Sequence, residues 1–336
     1  MARALQTALA ATCALTLCAC GGSPNGPAPQ PTPTPPATPT NTWSIAGQVV
    51  ATGSQQRVAG ATITPGWSLA AVNADEQGTF GLGDRTNPPA MPAPATISQP
   101  GFISHDVWLA WQAGARANVT LEIIRDALPF SLEFYQQFVR DMYDHPSGPP
   151  SFLRRWEMAP SFYVRTVDQN GRPVEPEVLA VTLDALRRAV PAYTADRYAA
   201  AAIETGTDVR PTTIGWINLD FRRESNSRIC GQSFVGANPG TITLFEDICS
   251  CGSIKVPGSV TMHEVGHALG FFHVSDKNSL MYPFDSGFCR AGALSAAESF
   301  HAAIAYSRPR QNTDPDKDPS SFRSLGARAD GPLVER

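Results

Sequence analysis

The residues His263-Glu264-Val265-Gly266-His267-Ala268-Leu269-Gly270-Phe271-Phe272-His273 put three imidazoles and a carboxylate into one short stretch. On a helix, residues four apart share a face, so His263 and His267 can present ring nitrogens to a single metal ion. Glu264 sits one position on from His263 and reaches beside such an ion, where a general base acting on water belongs. Gly270 can end the helix in a left-handed conformation, and the turn brings His273 back as a third ligand. Three imidazoles leave one position of a tetrahedral Zn2+ open, which marks a reactive centre and not a structural one. A bare His-Glu-x-x-His arises by chance in roughly one chain in a hundred of this length. The added glycine and third histidine lower that about a thousandfold. Three of the chain's six histidines fall here.

Downstream, Ser279-Leu280-Met281-Tyr282-Pro283 resembles the Met-turn that passes beneath the zinc in metzincins. With Ser275-Asp276 and Leu294-Ser295-Ala296-Ala297-Glu298, residues 258–307 are most similar to the matrixin branch. The resemblance implies a zinc metalloendopeptidase with one catalytic Zn2+ on His263, His267 and His273, and Glu264 as general base. It implies a twisted mixed sheet over the active-site helix, Met281 as a packing base, and a peptide substrate antiparallel to an edge strand, taken to be Thr241–Phe245. Tyr282 is expected as a wall or core residue, because the residue two beyond the Met is Pro283. No segment supports structural Ca2+ or a second zinc. Arg228-Ile229-Cys230-Gly231 is a loose echo of a cysteine switch, and Phe284-Asp285-Ser286 departs from the usual pocket wall. Two rival readings are a surface-binding lipoprotein whose zinc site has weak or no catalysis, and a zinc hydrolase of a non-peptide substrate.

The start of the chain concerns location. Arg3 and the apolar run Leu5–Leu17 read as a targeting segment too short to span a bilayer. Leu17-Cys18-Ala19-Cys20 resembles a bacterial lipobox, which implies a signal at 1–19, lipid on Cys20 and a place in the cell envelope. The alternative is plain secretion. Residues 20–42, rich in Pro and Thr, read as an extended tether.

In an oxidising compartment the remaining Cys230, Cys249, Cys251 and Cys289 suggest two disulfides. Cys249 and Cys251 are too close to pair in an extended segment, so each is expected to reach Cys230 or Cys289.

Working outward, residues 43–125 carry short β-prone runs between Gly, Pro and Asn turns, the pattern of an all-β sandwich. Ile45-Ala46-Gly47-Gln48-Val49, Val58–Ile63, Asp75–Phe80 and Gln99-Pro100-Gly101-Phe102 resemble the carboxypeptidase regulatory-like domain, a transthyretin-type fold that implies an accessory module. Residues 126–307 then read as an α+β catalytic domain. Phe130, Phe134, Phe138 and Met142 mark one helix, Ser161–Val167 a strand, and Pro176–Pro191 a second helix. Thr213–Phe221 and Thr241–Phe245 are further strands. Ser295 and Glu298 form a capping box for a last helix. His301 on that helix is expected at the surface, and 308–336 as a disordered tail. The formal net charge of −4 and the lack of a basic run exclude a nucleic-acid footprint. The oligomeric state is left open.

Overall fold

The computed structural model describes residues 43–319 apart from 68, 85–91, 110–115, 225–228, 247, 252–254 and 284–291, together with 333–335. The signal, Cys20, the tether and Cys289 lie outside the described residues.

The first part is β-rich. Strands β1 (Trp43–Ala51), β4 (Thr79–Asp84), β6 (Phe102–Ile103) and β8 (Arg116–Arg125) form one sheet in the order β4-β1-β8-β6. Strands β2 (Thr62–Pro65), β3 (Val72–Asn73), β5 (Ala93–Ser98) and β7 (His105–Leu109) form a second, ordered β3-β2-β5-β7. Both sheets contribute to one core, with Ile45 and Val49 of β1 packed with Ile63 of β2 and Ile97 of β5. β7 alternates buried and exposed positions along its whole length, the signature of a strand with one face inward.

Helix α1 (Leu132–Arg140) follows, capped by the Ser131 side chain, which accepts from the Phe134 N–H. Next come β9 (Ser161–Asp168), α2 (Pro176–Tyr193), β10 (Ala202–Gly206), β11 (Trp216–Arg222), β12 (Gly231–Ser233), β13 (Gly240–Phe245), α3 (Gly258–Ala268), α4 (Ala296–Ser307) and β14 (Leu333–Glu335). Pro176 opens α2, where its missing N–H costs nothing, and the helix carries Pro191 in its last turn. The sheet order is β10-β9-β11-β13-β12-β14. The strands β10, β9, β11 and β13 are parallel, whereas β12 runs antiparallel to β13 and β14 antiparallel to β12. Among the described residues, four helices and mixed sheets make this an α/β protein. Its second core joins Phe162 and Val164 of β9, Leu186 and Val190 of α2, and Val260 and Val265 of α3.

Three expectations change here. Thr241–Phe245 is not an edge: β13 lies between β11 and β12, and β12 is the outer neighbour. The segment after Arg308 is folded through residue 319. Arg308 is buried with its Nε donating to the Pro315 carbonyl, and Asn312 donates to Asp318. Asp318 in turn contacts His105 Nε2 of β7 at 3.1 Å, so this polar stretch ties the two cores together. His301, expected at the surface, is fully buried. Its ring stacks on Phe130, its Nδ1 donates to the Ala297 carbonyl, and its Nε2 accepts from the Ser131 N–H at 3.0 Å. The imidazole thus docks α4 onto the start of α1. No described helix is long and apolar enough to cross a membrane.

Candidate metal centre

Helix α3 is buried on nearly all sides, so it has no solvated face to carry polar residues. Yet His263, Glu264 and His267 stand on it with no solvent exposure. Such burial of polar groups is costly unless they have work or partners. The helix ends in a Schellman motif. The Gly270 N–H donates to the His267 carbonyl and the Phe271 N–H to the Gly266 carbonyl, with Gly270 at φ +112°. A side chain at 270 would also strike the backbone of Arg154 at 2.9 Å. The turn returns His273 to the other two histidines, as expected.

The three rings gather tightly. His263 Nε2 lies 3.0 Å from His267 Nε2, which lies 3.2 Å from His273 Nε2. Each Nδ1 faces an acceptor: the Leu280 carbonyl at 2.7 Å, the Phe271 carbonyl at 2.8 Å and Asp144 Oδ2 at 2.8 Å, respectively. The Nδ1 atoms therefore carry the hydrogens, and three bare Nε2 lone pairs converge on one point. Without a cation that arrangement is repulsive. Zinc–nitrogen bonds of about 2.0–2.1 Å in a tetrahedron put ligand nitrogens roughly 3.3 Å apart, close to the separations found. Burial, reinforced by His273, pushes the pKa of His263 down to about 3, and burial with both neighbours holds His267 well below the ordinary value. The residues fit a metal ion: fixed tautomers and one focus. Among the described residues these three form the cluster able to hold one.

Met281 lies beneath the centre, fully buried, with the Tyr193 hydroxyl donating to its sulfur at 3.1 Å. Gly266 makes this close approach feasible, since a Cβ there would meet the Met281 sulfur at 2.6 Å and Tyr193 at 2.7 Å. Tyr282 is half-buried beside the turn. On the other flank β12 passes over Glu264. A Cβ on Gly231 would lie 2.5 Å from Glu264 Oε1, so only glycine leaves room for that carboxylate. Cys230, next to it, is bridged to Cys249 with a Cα–Cα distance of 5.3 Å. Cys251 is also disulfide-bonded.

Two residues at the centre escaped the sequence reading. Asp144 gave no signal, being 129 positions from the histidine it meets. Gly231 was read only as part of a cysteine-containing echo.

Residues 255–295 match the family model described as Matrixin. The match contains the three histidines, Glu264 and Met281 and points, at the family level, to a zinc metallopeptidase. No curated protein matches the chain. Among solved structures, a putative membrane-associated protein of unknown function from Bacteroides fragilis is similar at 16% identity and a TM-score of 0.21, covering 27% of this chain and 29% of that one. A type II cohesin–X-dockerin complex from Acetivibrio cellulolyticus is similar at 10% identity and a TM-score of 0.20, covering 25% of this chain and 58% of that one.

Proposed function

We propose that this chain is a zinc-dependent endopeptidase of the metzincin kind, held at the bacterial cell envelope by lipid on Cys20. The observation that carries the reading is the convergence of three bare Nε2 atoms beside a buried Glu264. A zinc ion held by His263, His267 and His273 would polarise the scissile carbonyl and acidify a water molecule. Glu264 takes the proton of the attacking water on its carboxylate and passes it to the nitrogen of the leaving amine. Its place one residue from His263 on a rigid helix keeps that carboxylate aimed at the reacting atoms, and Gly231 keeps the space around it clear.

The substrate main chain lies along the outer edge of β12, antiparallel to it and in place of β14. That edge already accepts a strand in this sense: Leu333, Val334 and Glu335 of β14 pair with Ser233, Gln232 and Gly231. Main-chain pairing of this kind binds extended peptides with little regard to sequence. The β-rich region acts as an accessory module of sandwich type, and the Pro/Thr-rich residues 20–42 hold the folded part away from the membrane.

Digestion of a peptide library by the zinc-loaded protein, read by mass spectrometry, tests this reading. Cleavage at internal peptide bonds that chelation abolishes and added zinc restores is the expected result. Intact peptides alongside hydrolysed ester or glycan substrates would replace it with a different hydrolase.

A further inference from the structure

Two of the three histidines stand on the helix itself and are oriented by backbone carbonyls. His267 donates to the carbonyl four residues on, and His263 to Leu280 in the turn beneath. His273 stands beyond the helix end, on a segment with no regular structure of its own. Besides the Val274 N–H, which donates to the Met281 carbonyl at 3.1 Å, what holds it comes from α1 and the loop after it. The Phe272 N–H donates to the Phe138 carbonyl at 2.8 Å, and Ser275 donates through its N–H and its hydroxyl to Gln137 Oε1 at 2.9 and 3.0 Å. Between them Asp144 Oδ2 takes the His273 Nδ1 hydrogen at 2.8 Å.

The loop is built to present that carboxylate. Asp141 closes α1 in the left-handed region at φ 63°, and its N–H donates to the Gln136 carbonyl. The His145 N–H donates to the Asp141 carbonyl, and His145 Nδ1 contacts Asp141 Oδ2 at 2.8 Å. Gly148 then turns back onto His145, and the Ser151 N–H returns to the Arg140 carbonyl. Asp144 is held between these turns, with its side chain 26% exposed and His273 only 3%.

We propose that Asp144 is a positioning residue of the metal centre, fixing the ring orientation of His273 and increasing its strength as a ligand. The inference rests on the zinc reading above. Of the three acceptors it is the one that carries charge, and a carboxylate behind a ligating imidazole both fixes the tautomer and raises ligand basicity. It also makes the third ligand depend on an element that precedes the sheet, so the loop after α1 belongs to the metal centre although α3 is far along the chain.

The test is zinc affinity, measured by competition with a chromogenic chelator, with visible spectra of the cobalt-loaded protein as an independent readout. Asp144→Ala is expected to bind zinc about 10- to 100-fold more weakly, with shifted cobalt bands and an unchanged circular dichroism spectrum. Asp144→Asn, which keeps an acceptor but not the charge, is expected to fall between. Gln137→Ala loosens the same segment without touching the imidazole and is expected to lose clearly less affinity than Asp144→Ala. Wild-type affinity in both Asp144 variants, or an equal loss in Gln137→Ala, would overturn the proposal. Should Asp144→Ala not fold, Asp144→Asn decides alone: weaker zinc binding supports the role and wild-type affinity overturns it. A wild-type protein that binds no zinc would instead remove the functional reading itself.

Discussion

Glu298 on α4 accepts at one oxygen, Oε1, from the Met281 N–H at 3.0 Å and from the Ser279 hydroxyl at 2.5 Å. Its other oxygen accepts from the Ser295 N–H at 2.7 Å, completing the capping box of its own helix. One fully buried carboxylate therefore starts α4 and fixes the turn beneath the metal centre.

Glu298→Ala removes an acceptor shared by three donors, of which the Met281 N–H keeps the Ser279 hydroxyl oxygen at 3.0 Å and the Ser295 N–H is only part-buried. At about 1 kcal/mol or more for a group left unsatisfied, a loss of about 2 kcal/mol is expected. Denaturant midpoints of the two proteins measure it. A loss under about 1 kcal/mol would mean that water or a neighbour replaces the carboxylate freely.

Gly231→Ala places a methyl group where the Glu264 carboxylate stands. The ligands are untouched, so zinc content is expected to remain at wild-type level while kcat/KM falls by about 10²-fold, the usual consequence of misplacing a reacting group by an ångström. Metal analysis beside steady-state kinetics separates the two effects. Joint loss of zinc and activity would show that the clash spreads into the ligand set.

Much of the centre was legible because it is local. His263 and His267 share a helical face, Gly270 ends that helix, and Ser295 with Glu298 caps α4, all through contacts within a few positions. Long-range contacts decided the rest. Asp144 meets His273 across 129 positions, and His301 meets Ser131 across 170. Gly231-Gln232-Ser233 has no apolar alternation to announce a strand, yet pairing makes it the neighbour of β13 and places it over Glu264. Whether Thr241–Phe245 lies inside a sheet or at its rim depends on that partner, not on its own residues.

Stability on the acid side is expected to depend on His301. Burial pushes its pKa below the ordinary imidazole value. As pH falls through about 6.5, the unfolded chain takes up the proton first, so this contribution to stability is complete above that pH and declines below it until the folded pKa is reached. Urea midpoints at pH 7.5 and 5.5 for wild type and His301→Gln measure the difference. His263 and His267 are common to both proteins and cancel. An equal acid-side decline in the two would contradict the assignment.

Removing residues 320–336 takes β14 from the outer edge of β12. If that edge receives the substrate, the shortened chain is expected to show a lower KM with little change in kcat, since a competing occupant acts on binding alone. An added peptide carrying the Leu333–Glu335 sequence is expected to raise KM again. Identical kinetics in the two chains would place the substrate elsewhere.

The central claim is that three histidines hold a zinc ion and Glu264 moves the proton. Replacing Glu264 by Ala, with zinc content and peptide cleavage followed on the same sample, tests it most directly. The account predicts one zinc per chain and cleavage reduced by about 10²- to 10⁴-fold. Wild-type cleavage by a zinc-loaded Glu264→Ala protein would contradict it.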